Sequence, residues 1–317
     1  MLRCHRRISS AIAVAALIAV GPKAYGSGAT AITSCGQTVT TNAVLTQDLD
    51  CPGSSGVIVG ASGITIDLKG FRLRGDRTSD HYGIDDTGGF AKVSVKNGVL
   101  RNFSIGVYAP NADEFSALGV VATANLDSGI ALQGVAVSVK SSVAASNGID
   151  GIVLGGPSAS VKSSAAFGNG VDGINLSNGG SLSVTSSTAS GNASIGISVV
   201  ASVNPSVKAS TASGNGSDGI LVSGDAARIK GNHADGNGFV VFGAGLGIRT
   251  EGFSTAPTGT NLARGNDDPA ECDPASLCCA HTLCGSQCIN VATDPGNCGK
   301  CGHVCVGLVC SAGVCLP

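Results

Sequence analysis

The chain has 317 residues, of which 48 are Gly and 13% are charged, with no Trp and a formal net charge of −2. So much Gly with so little charge is unlike an average globular domain and implies a repetitive architecture. Beyond the first seven residues Lys and Arg form no cluster, which argues against nucleic acid and anionic membrane surfaces as partners.

Residues 1–26 carry Arg3, Arg6 and Arg7, an apolar run from Ala11 to Val20, and small residues at Ala24 and Gly26. This is the pattern of a signal peptide, so a secreted, extracellular protein is expected. Neither this run nor any later stretch reaches the ~20 apolar residues of a membrane span. Of the 13 Cys, only Cys4 precedes residue 27, leaving an even number in the exported chain. Disulfides in an oxidising compartment follow. None of these Cys lies between Cys51 and Cys272, which confines the bridges to the two ends. Residues 27–56, tied by Cys35 and Cys51, are expected to cap the start of the stack described next.

Residues 57–265 repeat. A Gly followed by Ile or Val recurs at Gly83, Gly106, Gly129, Gly151, Gly173, Gly196 and Gly219, every 22 or 23 residues, and again at Gly247. Asn keeps the same beat at positions 102, 125, 147, 169, 192, 215 and 237. A third register holds Val95, Val139, Val161, Val184, Val207 and Ile229, most of them followed by Lys. Within a repeat, Ile152 and Leu154 alternate with Val153 as in a half-buried strand. No stretch after the signal keeps a 3.6-residue apolar period, so crossover helices are absent and the strands stack directly. The predicted fold is all-β, a parallel β-helix of about nine coils with a continuous internal apolar column. The Asn row is predicted to form a hydrogen-bonded ladder along the stack.

Residues 266–317 form the terminal region, with a closing segment expected to be joined by Cys272 and Cys278 and then a cysteine-rich tail. A fragment so small needs covalent staples. The spacing of Cys298 and Cys301, with Cys305 or His303 nearby, also fits zinc ligation, and disulfide pairing is preferred for an exported chain.

The Gly-Ile and Gly-Asn repeats, with Asp-Leu-Lys-Gly at 67–70 and Val-Lys-Asn-Gly at 95–98, resemble the pectin-lyase-like right-handed β-helix proteins. The resemblance implies the fold and leaves the activity open, since that family holds polysaccharide lyases, epimerases, hydrolases, tail spikes and adhesins. The tail from Cys284 resembles the Stig1-type cysteine-rich module.

Aligning the coils on the Gly-Ile dyad puts Asp85, Tyr108, Ala131, Val153, Asn175, Ser198, Leu221 and Arg249 in one outward row. Chemistry concentrates in the first coils, where His81, Tyr82, Asp85 and Asp86 lie together in sequence, with Tyr108 one coil above Asp85 and Arg101 nearby. As an active site, a carboxylate or Tyr would exchange protons while Arg101 neutralised a substrate uronate. Tyr82-Gly83-Ile84-Asp85 resembles the Tyr-Gly-Asp-Pro-His region of alginate epimerases without its Pro-His part. Asp150, Asp172 and Asp218 each precede a dyad; stacked, they could hold Ca²⁺, and Asp before Gly is also ordinary turn chemistry. No other cofactor is expected. The leading expectation is a structural, adhesive or binding role toward an extracellular polysaccharide or protein, with a protein partner or structural role preferred because Tyr82 and Tyr108, the only Tyr after the signal, give little platform for sugar stacking. The alternative is a lyase or epimerase acting on an acidic glycan.

Overall fold

The computed structural model describes residues 28–239, 245–252, 261–268, 271–274, 277–278, 282–284, 287–289 and 291–316. The expected signal segment lies outside them, as does Cys279.

The described residues hold strands and no α-helix. Each coil contributes three short strands in turn, seen in Ile152–Gly155, Ser158–Lys162 and Ala165–Phe167. The first strand of every coil joins an 11-stranded parallel sheet, called here the dyad face. The second and third strands form two further parallel ladders, counted as one 18-stranded sheet. The eight-residue strands Ser94–Arg101 and Ser116–Thr123 run through both ladders and join them. Parallel pairing in all three ladders, with direct turns in place of crossover helices, makes this a right-handed parallel β-helix of about ten coils. The extra coil over the nine expected comes from residues 30–50, where Thr30–Ile32 pairs with Ala43–Leu45 and the other three strands pair in parallel with the coils that follow. The segment expected to cap the stack thus continues its ladders.

The dyad Ile stack as a column. Val57, Ile84, Val107, Ile130, Ile152, Ile174, Ile197, Ile220 and Ile248 are partners in unbroken register. All are fully buried. Burial of each such side chain contributes about 1.5–3 kcal/mol, and a one-residue register slip would turn the column out of the core.

Two polar ladders run beside this core. Asn125 Nδ2 donates to Asn147 Oδ1 at 2.9 Å, and the chain of bonds continues through Asn169, Asn192, Asn215 and Asn237 to Asn266. Asn102 is not part of it. Phe103 stands one position later in that place, and its N–H donates to Asn125 Oδ1 at 3.0 Å. The second ladder, not anticipated above, is Ser142, Ser164, Ser187, Ser210, Asn232 and Asn261, each accepting the backbone N–H of the member before it. It lies at the sharp turn between the second and third strands, where Ser141, Ser163, Ser186 and Ala209 adopt φ of about 50°. That left-handed conformation costs roughly 1 kcal/mol in a residue with a Cβ. The following Ser offsets it by donating its hydroxyl back across the turn, as Ser164 does to the Lys162 carbonyl at 2.9 Å.

Disulfides stand at both ends, between Cys35 and Cys51 and between Cys272 and Cys278. In the tail Cys298 bonds Cys310 and Cys305 bonds Cys315, both tying the antiparallel hairpin of Val309–Ser311 and Val314–Leu316 to the preceding segment, and a second hairpin is formed by Thr282–Cys284 and Gln287–Ile289. Cys298, Cys305 and Cys315 cluster closely, and their sulfurs lie in these bridges, as the preferred disulfide reading expects. His303 Nδ1 lies instead 2.6 Å from the Cys298 carbonyl oxygen.

Candidate functional site

The Gly of each dyad lets neighbouring coils approach closely. A Cβ added at Gly173 would lie 2.6 Å from both the Gly196 carbonyl oxygen and Asn192 Nδ2. Only Gly lets adjacent coils and the Asn ladder close to that distance. The next outward position then forms the predicted row: Asp85, Tyr108, Ala131, Val153, Asn175, Ser198, Leu221 and Arg249 are register partners in that order. Ile58 precedes Asp85 and Asp273 follows Arg249.

At the head of the row the rings of Tyr82 and Tyr108 stack with centroids 4.4 Å apart and planes tilted by 37°. Burial and the surrounding negative charge raise the Tyr82 hydroxyl above its ordinary range. Next to the pair is a shallow depression of about 160 Å³, lined by Tyr108, Pro110, Ala131, Gln133, Val153 and Asn178 among others. It offers an aromatic wall, an apolar floor and amide groups at the rim.

The other first-coil candidates separate. Asp85 is held in place, its Oδ1 accepting the Thr87 hydroxyl at 2.9 Å and its Oδ2 the Ser55 hydroxyl at 3.2 Å. His81 Nδ1 lies 2.9 Å from Thr78 Oγ1, whose proton goes to Asp76 at 2.7 Å, so His81 is the donor of that bond. Asp86 does not join Asp85. The strand alternation turns it inward, fully buried, to the position one step beyond the Asp85–Tyr108 pair. Its Oδ1 accepts the Phe90 N–H at 3.0 Å, which fixes the turn at 86–90, and its Oδ2 has no hydrogen-bond partner. Burial pushes its carboxyl up to about 6, helped by the charge of Asp85. Arg101 is not near the pair in the sense expected: it sits on the third strand of its coil, in register with Arg74 and Thr123. The expectation missed this because closeness in sequence across a coil corner moves a side chain to a different face.

Asp150 and Asp172 lie in adjacent coils at the corner that leads into the dyad face. Each uses Oδ1 to accept a backbone N–H of the next coil, from Asp172 at 2.8 Å and from Ile195 at 2.9 Å. Burial and the neighbouring acids raise Asp150 to about 6. Asp218 is two coils beyond Asp172, with Ile195 between, and its Oδ2 is 2.9 Å from Arg249 Nε. The three carboxylates therefore do not converge on one point. Burial raises the Asp218 carboxyl, and Arg249 opposes the shift.

Comparison with known proteins supports this architecture. A family model described as the right handed beta helix region matches residues 106–266. No curated protein matches. Among solved structures, the chain is similar to the A-module of mannuronan C-5 epimerase AlgE6 of Azotobacter vinelandii. The identity is 17% over 72% of this chain and 70% of that one, with a TM-score of 0.47. The AlgE4 A-module of the same organism gives 15% identity over 72% of this chain and 86% of that one, TM-score 0.43. Pectate lyase Pel9A gives 16% over 71% and 69%, TM-score 0.32. The family model spans half of the chain and shows that this protein belongs to the right-handed β-helix family.

Proposed function

We propose that this is an extracellular β-helix protein that binds a linear polysaccharide along its dyad face without cleaving it. The observation that carries the reading is the Tyr82–Tyr108 pair beside the depression. Stacked aromatic rings present an apolar face to the carbon-hydrogen side of a sugar ring. Gln133 and Asn178 at the rim supply donors and acceptors for hydroxyl groups. Disulfides at both ends suit an oxidising compartment, and no helix among the described residues is long and apolar enough to cross a membrane.

The competing reading is a lyase or epimerase in the first coils, and it draws on Asp85 and Tyr108 being register neighbours on one face. Binding is favoured because Asp86 and Arg101, which would complete an acid, base and uronate clamp, face elsewhere. The test is incubation of the protein with acidic and neutral polysaccharides, with and without Ca²⁺, followed by mass spectrometry of the products. Saturable binding with unchanged chains is expected. Shortened chains, unsaturated ends or inverted uronates would overturn the non-catalytic reading, and no binding to any polymer would overturn the glycan reading itself.

A further inference from the structure

The second strand of each coil presents two outward rows. One is hydroxyl: Ser94, Ser116, Ser138, Ser160, Ser183 and Ser206 are register partners in sequence. The other is cationic: Lys96, Leu118, Lys140, Lys162, Thr185, Lys208 and Lys230 follow one another coil by coil. Lys140 stacks directly on Lys162 and Lys208 on Lys230, at the inter-strand distance of about 4.8 Å. The last four Lys are exposed and Lys96 is half-buried. Among the described residues no ion pair involves any of the five, and Asp67, the register partner of Lys96, pairs with Lys69.

Like charges placed directly opposite one another on neighbouring strands are destabilising. Lys is commonly used to protect an exposed sheet edge from aggregation, and that purpose fits only Lys230, whose strand is paired on one side. The strands of Lys96, Lys140, Lys162 and Lys208 are each paired on both sides. A cation row without ion-pair partners, running beside a row of hydroxyls in a chain of net charge −2, is complementary to a polymer whose negative charges recur along a line.

We propose that this Ser-Lys face is a second binding surface, one that takes an extended acidic polysaccharide lying along the helix axis. Its carboxylates pair with Lys140, Lys162, Lys208 and Lys230 while the Ser row accepts and donates to its hydroxyls. The surface is distinct from the dyad face and does not rest on the reading of that face.

The test is titration of the full chain with a soluble polyuronate and with a neutral glucan, at low and high salt. It is run on the wild type, on the combined Lys140→Gln, Lys162→Gln, Lys208→Gln and Lys230→Gln variant, and on Tyr108→Ala. Polyuronate binding should weaken steeply with salt, and the Lys variant should lose roughly tenfold or more in affinity with a shallower salt dependence. Tyr108→Ala should retain that salt-dependent component. Equal polyuronate affinity in the Lys variant and the wild type would overturn the proposal, as would binding of duplex DNA as tight as that of polyuronate. Loss of neutral-glucan binding in Tyr108→Ala alone would concern only the dyad face, so the two readings fail separately.

Discussion

Asn192 Oδ1 accepts two hydrogen bonds from Asn169, one from its side-chain amide at 2.9 Å and one from its backbone N–H at 3.1 Å. Asn192 in turn donates to Asn215 Oδ1 and to the Ala166 carbonyl. Every polar atom of the side chain is used, and the residue is fully buried. The Asn corner is therefore a cross-coil fastening and is not available to a ligand.

Replacing Asn192 by Ala should orphan two buried donors of Asn169, at a cost of about 1–3 kcal/mol each. The check is the midpoint of denaturant unfolding of the purified protein. An unchanged midpoint would show that water or a shifted backbone replaces the ladder.

Gly173→Ala should also destabilise, by about 1–3 kcal/mol or more, because the new methyl collides with the Gly196 carbonyl and the Asn192 amide. Gly191→Ala is the informative partner. It has free space, but its φ of 62° is left-handed, so its cost should be only roughly 1 kcal/mol. If both substitutions cost the same, close approach of the coils is not what the dyad Gly provides.

Asp86 makes stability depend on pH. Its carboxyl is at about 6 in the folded protein against an ordinary 3.8, so the unfolded chain ionises first. The favourable contribution is complete below about pH 4 and is lost as pH rises through about 6. Between pH 4 and pH 7.5 the stability of Asp86→Asn relative to the wild type should rise by about 2–3 kcal/mol. Asp150, also at about 6, sets a similar slope in both proteins and cancels from the comparison. A difference independent of pH would mean that the Asp86 carboxyl is not buried in charged form.

The repeat itself was fully legible, because three registers at one period fix which residues stack. The outward row from Asp85 to Arg249 followed from that alignment and is reproduced partner for partner. What escaped were features whose signal lies between the registers. Asn102 keeps the 23-residue beat yet falls one position before the ladder, where Phe103 fills the corner with apolar volume. The Ser ladder carried its own period at Ser142, Ser164, Ser187 and Ser210, hidden by the abundance of Ser around it. Asn261 and Asn266 are 29 residues from their partners, so a fixed period passes over them. Sequence distance groups Asp86 and Arg101 with Asp85, whereas strand alternation and the coil corner send them to the core and to another face.

Intrinsic tyrosine emission offers the most direct test of glycan binding at the dyad face. The chain has no Trp, and Tyr82 and Tyr108 are its only Tyr beyond residue 26, so emission from the chain without its first 26 residues reports on that one site. Titration with oligosaccharides of increasing length should change the emission saturably, and Tyr108→Ala should weaken the midpoint several-fold, about 0.5–1.5 kcal/mol. Emission that stays constant while calorimetry registers binding would place the sugar elsewhere and contradict the assignment of the Tyr pair.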